Sequence, residues 1–292
     1  MKLSSLLSRI RTEFPDLEFA SARLANGDDN WMVILDETWA MRFPRSAEQA
    51  KWFPVECDVL SALNASSPGL TPRFERMAQD GLFAGYRMIA GEPLTPKAFA
   101  NLPRSGLEQV IDQIGTMMRV LHALPDDLAT LTSGERRTTA GREARVAKDY
   151  HRKHRQTLAR SVDSRLLARL DRLFTVYPGL PWQMSAIIHG DFSEDHILFA
   201  SDGVTLAGVI DFGDVVIGDP AYDLTLFWSA GDWAAARAVE AYGGDAAMLE
   251  RSRWSYARYT VLRLCWALDG DVRYSVEGCR QDLQHHLGAL GL

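Results

Sequence analysis

Near the N-terminus the apolar residues fall at Leu3, Leu6, Leu7, Ile10 and Phe14, the three-and-four spacing of one helix face. Arg9 and Arg11 interrupt any continuous apolar run, so the pattern predicts an amphipathic first helix and not a targeting signal. Two short β-prone runs follow, WMVIL at 31–35 and WAMRF at 39–43, separated by Asp36-Glu37-Thr38, and a hairpin is expected. Pro44 ends the second strand because it has no N–H to give to a ladder. Ser46 and Gln49 have capping-box spacing and open a helix. Pro54 should break or kink it, with a second helical stretch running to about Leu63. Another hairpin is predicted over 73–90 with Gln79-Asp80-Gly81 as its turn, and Ala90-Gly91-Glu92-Pro93 reads as a connector.

Beyond the connector the period changes. Leu107, Val110, Ile111, Ile114, Met117, Met118 and Leu121 recur every three or four residues up to His122, the mark of a long amphipathic helix that Pro125 stops. The stretch 141–176 is strongly charged and predicts a solvent-facing helix or helix pair. The β-like runs IIHGD, HILF and VTLAGVIDF come next, and after Pro220 the pattern is helical to the end. A small β-rich lobe over residues 1–89, then a larger and mainly helical lobe over 90–292, is the organisation this order implies.

Composition narrows the picture. The chain has 292 residues, 47% hydrophobic and 24% charged, enough for two domains or one large one. No apolar run reaches the ~20 residues of a membrane span; the closest, WSYARYTVLRLCWAL, carries Arg258 and Arg263. Cys57, Cys265 and Cys279 have neither metal-ligand nor disulfide-framework spacing, which fits a reducing cytoplasm. The net charge is −6, and from Asp211 onward the chain carries 12 Asp and Glu against 7 Arg. That sign argues against nucleic acid as a partner and suits a cationic small molecule, although a plain acidic surface reads the same way.

The densest chemistry is His-Gly-Asp-Phe-Ser-Glu-Asp-His at 189–196, set between short apolar runs. Asp191 and Asp211 each end such a run. If HILF and VTLAGVI pair, with Gly203 in the turn, both carboxylates come to one end of a hairpin. Carboxylates brought together repel, and a divalent cation relieves this. One could then serve as general base while the other holds metal. Protein kinases arrange an Asp, a second ligand five residues later and a metal-binding Asp-Phe-Gly in this order; here the parts are Asp191, His196 and Asp211-Phe212-Gly213. In the first third, Arg42 sits inside WAMRF, and Glu56 shares a helix face with Val59, Leu60 and Leu63, so a Glu56–Arg42 pair is expected.

Together these residues resemble the aminoglycoside phosphotransferases, with the macrolide kinases as close relatives. The matching stretches are Gly27-Asp28-Asp29-Asn30, Arg42-Phe43-Pro44-Arg45, Glu56, Tyr86-Arg87-Met88-Ile89-Ala90-Gly91, Leu121-His122, HGDFSEDHILF and IDFGDVVIGDPAYDL, which together span nearly the whole chain. The resemblance implies an α+β, protein-kinase-like fold of two lobes and transfer of the γ-phosphoryl group of ATP or GTP to a substrate hydroxyl. Asp191 would orient that hydroxyl and accept its proton, and His196 with Asp211 would hold Mg²⁺. Arg42, positioned by Glu56, would clamp phosphates, and Arg87, Met88 and Ile89 would offer backbone groups to the base. The sequence departs from the kinase pattern in having no G-x-G-x-x-G, His196 for the usual Asn and Arg42 for the usual Lys.

The Gly-Asp-Pro-Ala-Tyr-Asp-Leu segment adds two acids, Asp219 expected to fix the catalytic loop and Asp223 to cap the next helix. His122 is expected as a hydrogen-bonded core residue, and Trp228, Trp254 and Trp266 as core. The acidic second half nominates Asp195, Asp232, and Asp271 with Tyr274 as contacts for a polyamine-like acceptor. A macrolide kinase would present a more apolar pocket, and choline, fructosamine and homoserine kinases share the scaffold. Two other classes stay open: a dinuclear metallophosphoesterase, whose Asp-x-His has a counterpart only at Asp149-Tyr150-His151, and a silent nucleotide-binding module, motivated by Arg42.

Overall fold

The computed structural model describes residues 2–26, 30–129, 145 and 147–292. Gly27, Asp28 and Asp29 of the first matching stretch lie outside the described residues, as do 141–144 and 146 of the charged stretch. Helix α1 (Leu3–Glu13) forms as its spacing predicts and buries Leu6 and Ile10. It packs on a five-stranded antiparallel sheet of β1 (Ala22–Asn26), β2 (Asn30–Leu35), β3 (Trp39–Pro44), β4 (Phe74–Met77) and β5 (Ala84–Arg87), in the order β1-β2-β3-β5-β4. Strand alternation sends Val33, Leu35, Trp39, Met41 and Phe43 into one core with Leu6, Ile10 and Phe14. Ile34, Ala40 and Tyr86 make a small apolar layer on the other face, and Arg42 follows Ala40 in that row.

The first predicted hairpin is β2–β3, in register Leu35 opposite Trp39. Its three-residue connection holds Asp36 and Glu37 both at φ 49°, the pair of left-handed residues that lets the Thr38 amide donate back to the Leu35 carbonyl at 2.9 Å. Asp36 anchors the turn by accepting the Ala20 and Ser21 amides at 3.0 and 2.6 Å. Ser46 caps α2 (Ala47–Ser66) through the Gln49 amide, as its spacing predicts. Pro54 does not divide that helix. Its fixed φ is a helical one, so what is lost is the single hydrogen bond to the Ala50 carbonyl. Buried Phe53, Val55, Val59, Leu60 and Leu63 hold the helix on both sides of it.

After β5 the chain crosses into the second lobe, where β6 (Glu92–Pro93) pairs with β8 (Ile197–Phe199), itself paired with β9 (Leu206–Val209). Gly91 sits in this crossing at φ 151°, and a Cβ there would stand 2.9 Å from both the Ala207 Cβ and the Phe199 carbonyl. Gly91→Ala is therefore expected to cost about 2 kcal/mol through overpacking and backbone strain, read as a lowered urea midpoint with unchanged m-value.

The second lobe contains α3 (Pro96–Ala100), α4 (Arg104–His122), α5 (Arg155–Ser161), α6 (Ser164–Val176), β7 (Ala186–Ile188), β10 (Val216–Gly218), α7 (Asp232–Tyr242), α8 (Ala246–Leu268) and α9 (Val276–Ala289). The predicted stripe of α4 is buried from Leu107 to Leu121 and shares its core with α2, β8, β9 and α7. The charged stretch departs from expectation. It forms the expected helix pair, broken at Val162 and Asp163, but its widely spaced apolar residues Tyr150, Leu158, Leu166, Leu170, Leu173 and Phe174 converge on a second core with α8 and α9. Among the described residues no helix is long and apolar enough to cross a membrane.

Candidate active site

Asp191 stands in the loop that leaves β7, a strand paired with β10. Asp223 holds that loop. Its Oδ2 accepts the His189 amide at 2.7 Å and its Oδ1 the Gly190 amide at 3.1 Å, while His122 Nε2 lies 3.1 Å from Oδ2. Burial alone would raise the Asp223 pKa; the bonds from His122 and His189 outweigh it, and the carboxylate is held below its ordinary value. His122 is thus the hydrogen-bonded core histidine expected.

The two acids exchange the roles read from sequence. Asp219 accepts Arg251 Nε at 2.6 Å and the Ala221 and Gln183 amides at 3.0 and 2.8 Å, capping the turn that follows β10. Strand pairing explains the exchange. Gly218 lies opposite Ala186, so Asp219 meets residues just before β7, and the later Asp223 comes under the loop after it.

The next residues of the loop position His196. Its Nδ1 is 2.7 Å from the Asp191 main-chain carbonyl, which can only accept, so Nδ1 carries the proton. In the neutral ring Nε2 then presents its lone pair, and Asp211 Oδ2 lies 3.7 Å from it. The Asp191 carboxylate is on the other side of the ring, 3.7 Å from Nδ1. His189 is fully buried behind them; its Nε2 donates to the Ile210 carbonyl at 3.0 Å, tying this loop to the end of β9. The hairpin β8–β9, with Ile197 opposite Val209, brings Asp191 and Asp211 to one end, as the sequence predicts. Asp211 occupies the left-handed region at φ 62°, ψ 63°, a strained conformation for a non-glycine residue.

Electrostatics separates the two acids. Burial raises the Asp191 pKa, and nearby Asp214 and Asp211 add to that against His196. For Asp211 burial also raises, but Arg42 and His196 outweigh it and the net shift is downward. Asp211 is the better anion and Asp191 the better proton acceptor. Asp211 Oδ2 and His196 Nε2 face each other beyond hydrogen-bonding distance, as a carboxylate oxygen and an imidazole lone pair whose ring is fixed through its other nitrogen. This donor set fits a divalent cation.

Arg42 reaches this group from the first lobe. Its Nη1 bonds Glu56, its Nη2 donates to Asp211 Oδ1 at 3.1 Å, and both Arg42 and Glu56 are buried. Burial pushes Glu56 up to about 7 against the pull of Arg42. With the Asn30 amide oxygen turned toward the guanidinium, Nη2 and Nε also donate to it at 2.8 and 3.1 Å. The expected Glu56–Arg42 pair therefore forms and is extended to Asp211. A Cβ on Gly213 would lie 2.6 Å from Arg42 Nη2, so any side chain there would displace the guanidinium. In the crossing segment the Met88 amide donates to the Thr38 carbonyl at 2.8 Å. Arg87, Met88 and Ile89 line a cavity of about 930 Å³ with Cys57, Asn64 and Phe74, to which neither Arg42 nor Asp211 contributes.

The acids nominated for a cationic acceptor are all paired. Arg273 bridges Asp195 Oδ2 at 3.0 Å and Asp271 Oδ2 at 2.8 Å, and its guanidinium lies 5.4 Å from the Tyr274 ring centre. Asp195, Asp271 and Tyr274 are thus brought together. Asp232 makes none of these contacts; its partners are Arg253 and His285. The sequence places Glu194, like Asp195, on the outward side of the loop toward solvent or a cationic acceptor. Glu194 is instead buried and pairs with Arg263 at 3.5 Å, because the arginine inside α8 needs an acid. Sequence reasoning missed Tyr259, which lies beside Asp191, Phe192 and Tyr222 in a narrow cleft. Arg263 lies within 5.5 Å of the ring centres of Tyr256, Tyr259 and Tyr274. The signal was present: an arginine inside an apolar helical stripe needs an acid. Trp228 and Trp254 are buried as expected, whereas Trp266 is half-buried beside Tyr259 and Tyr274.

Residues 22–259 match the family described as the phosphotransferase enzyme family. The chain belongs to this family. The phosphotransferase is 30% identical over 206 residues to viomycin phosphotransferase of Streptomyces vinaceus, a match covering 66% of this chain and 67% of that one. Among solved structures it resembles the GDP and kanamycin complex of APH(2″)-IIIa (TM-score 0.77, 24% identity, 98% and 99% of the two chains). It also resembles macrolide 2′-phosphotransferase type I (TM-score 0.65, 20% identity, 98% and 96%). At these identities the structures establish the fold of the phosphotransferase, the two-lobed kinase-like architecture expected from its sequence.

Proposed function

We propose that this phosphotransferase moves the γ-phosphoryl group of ATP or GTP to a hydroxyl of a cationic, aminoglycoside-type small molecule, and so confers resistance to it. The observation that carries the reading is the His196 ring. Bonded to the Asp191 carbonyl, it turns its lone pair to Asp211 and leaves the Asp191 carboxylate on the other side. Residues 1–89 would hold the nucleotide, with backbone groups of Arg87, Met88 and Ile89 toward the base, other than the Met88 amide, which the Thr38 carbonyl already takes. Residues 90–292 would carry the acceptor. Asp191 orients the acceptor hydroxyl and takes its proton as the new O–P bond forms and the bond from the γ-phosphorus to the departing nucleoside diphosphate breaks, its raised pKa suiting it to a base. His196 and Asp211 would hold Mg²⁺, which when bound spreads the charge developing on the phosphates. Arg42 has three acceptors already, so to clamp a phosphate it must exchange one of them, and Asp211, half-exposed, is the one within reach of solvent.

Viomycin phosphotransferase, by its name, supports an antibiotic acceptor, and the kanamycin complex supports an aminoglycoside. A second reading has its own observation. Asp195 and Asp271 are neutralised by Arg273, and Glu194 by Arg263, beside three tyrosines. Such a wall also suits a macrolide-type acceptor with a single cationic group. The deciding experiment incubates the protein with Mg²⁺ and γ-labelled ATP or GTP against kanamycin-, viomycin- and macrolide-class acceptors, and follows label into the drug. Hydrolysis of phosphoesters without transfer, or nucleotide binding without turnover, would overturn both readings.

Arg273 offers a sharper check of acceptor charge. Its guanidinium, half-exposed between two carboxylates, occupies the place an acceptor ammonium would take. Arg273→Gln should therefore lower KM for a polycationic acceptor several-fold and steepen its salt dependence, with the change in KM and not in kcat. A macrolide should show little change.

A further inference from the structure

A second group of metal-binding side chains lies outside the Asp191, His196 and Asp211 group. Asp232 opens α7, while His285 and His286 are consecutive residues near the end of α9. One ligand atom from each lies within 4.8 Å of the others. His285 Nε2 and Asp232 Oδ1 are 2.8 Å apart, so the first two members already face each other. His286 is the decisive third. It is 3% exposed and packed edge-on against the rings of Trp228 and Tyr256, with centroids at 5.2 and 4.8 Å. Its Nδ1 is buried and has no hydrogen-bond partner. Leaving such an atom without a partner is costly, and an imidazole in apolar surroundings stays neutral, with a lone pair to give.

We propose that Asp232, His285 and His286 form a binding site for a transition-metal ion, Zn²⁺ in particular, that fastens the start of α7 to the end of α9. Two imidazoles and a carboxylate are a donor set that zinc takes, with water as a fourth ligand, whereas Mg²⁺ favours oxygen ligands. The carboxylate is oriented from its far side: Arg253 Nη2 donates to Asp232 Oδ2 at 3.0 Å, leaving Oδ1 toward His285. Arg253 lies over the Trp228 ring at 4.3 Å, so the anchoring cation is itself held in place. Its positive charge opposes a second cation and makes the site a moderate binder, not a tight one. Asp232, nominated from the sequence as an acceptor contact, thereby has a different task.

The test is isothermal titration of the whole protein with ZnCl₂ in excess Mg²⁺, with Asp211→Asn as the control for zinc at the catalytic pair. His286 is in the core, so the exposed His285 and Asp232 carry the substitutions. Zinc affinity should fall at least ~10-fold in both His285→Ala and Asp232→Asn and be unchanged in Asp211→Asn. Co²⁺ in place of zinc should give visible ligand-field bands that His285→Ala removes. No zinc binding overturns the proposal, as does binding that survives either substitution or is lost in Asp211→Asn.

Discussion

Asp191→Asn should lower kcat by roughly 10³-fold, the range general-base groups contribute, while the nucleotide Kd stays within a few-fold of wild type. The amide keeps the shape of the carboxylate and its place beside His196 but cannot take a proton. Nucleotide affinity is expected to survive because the proposed phosphate and metal contacts are Arg42, His196 and Asp211. The wild-type pH profile supplies an independent check. Burial raises Asp191 above its ordinary 3.8, and a base works only when ionised. The acid limb of kcat/KM should therefore fall at a higher pH than an ordinary aspartate would give. Stopped-flow nucleotide binding together with steady-state transfer separates the two quantities; near-wild-type turnover would remove Asp191 from the mechanism.

Asp223→Ala should have the largest effect on stability, about 3 kcal/mol, and should also abolish most turnover although the residue touches no substrate. Removing the carboxylate strands three groups: the His189 and Gly190 amides and the His122 ring. The first two belong to the loop that carries Asp191, so the proposed base loses its placement along with the fold's margin. Chemical denaturation measures the first effect and single-turnover transfer the second. Asp223→Asn keeps the size and one acceptor and should fall between. The pH dependence follows from the lowered pKa of Asp223. The carboxylate's contribution is complete above the ordinary carboxylate range and is lost as pH falls through its depressed native value. Asp223→Ala should therefore flatten the acid side of the stability curve. Unchanged stability at neutral pH would show that the loop is held by other contacts.

Much of this was legible in the chain because local patterns decided it. The β-prone runs at 31–35 and 39–43, parted by Asp36-Glu37-Thr38, specified a hairpin carrying Arg42, and the spacing of Glu56 within its helix identified the arginine's partner. The two strands between Asp191 and Asp211 were enough to bring both acids to one end. What local pattern could not carry was pairing at a distance. The exchange between Asp219 and Asp223 depends on β10 lying antiparallel to β7, a register set by strands far apart in sequence. The arginines that neutralise Asp195, Asp271 and Glu194 come from α8 and the turn after it, so net charge overstated how many carboxylates an acceptor would find free. Pro54 misled because one lost hydrogen bond weighs less than the apolar face on either side of it. The charged stretch misled because apolar residues at wide intervals can still share one side of a helix.

The phosphate role proposed for Arg42 carries a consequence for inhibitor chemistry. Kinases with lysine at this place offer an amine that acylating or aldehyde-bearing nucleotide analogues can trap covalently. Arg42 remains protonated throughout the pH range in which such reagents act, and it is wrapped by Glu56 and Asp211. Compounds designed to couple to that amine find no nucleophile here. With Arg42 in the proposed phosphate role, this chain should escape such lysine-directed reagents however well the rest of the cleft is matched.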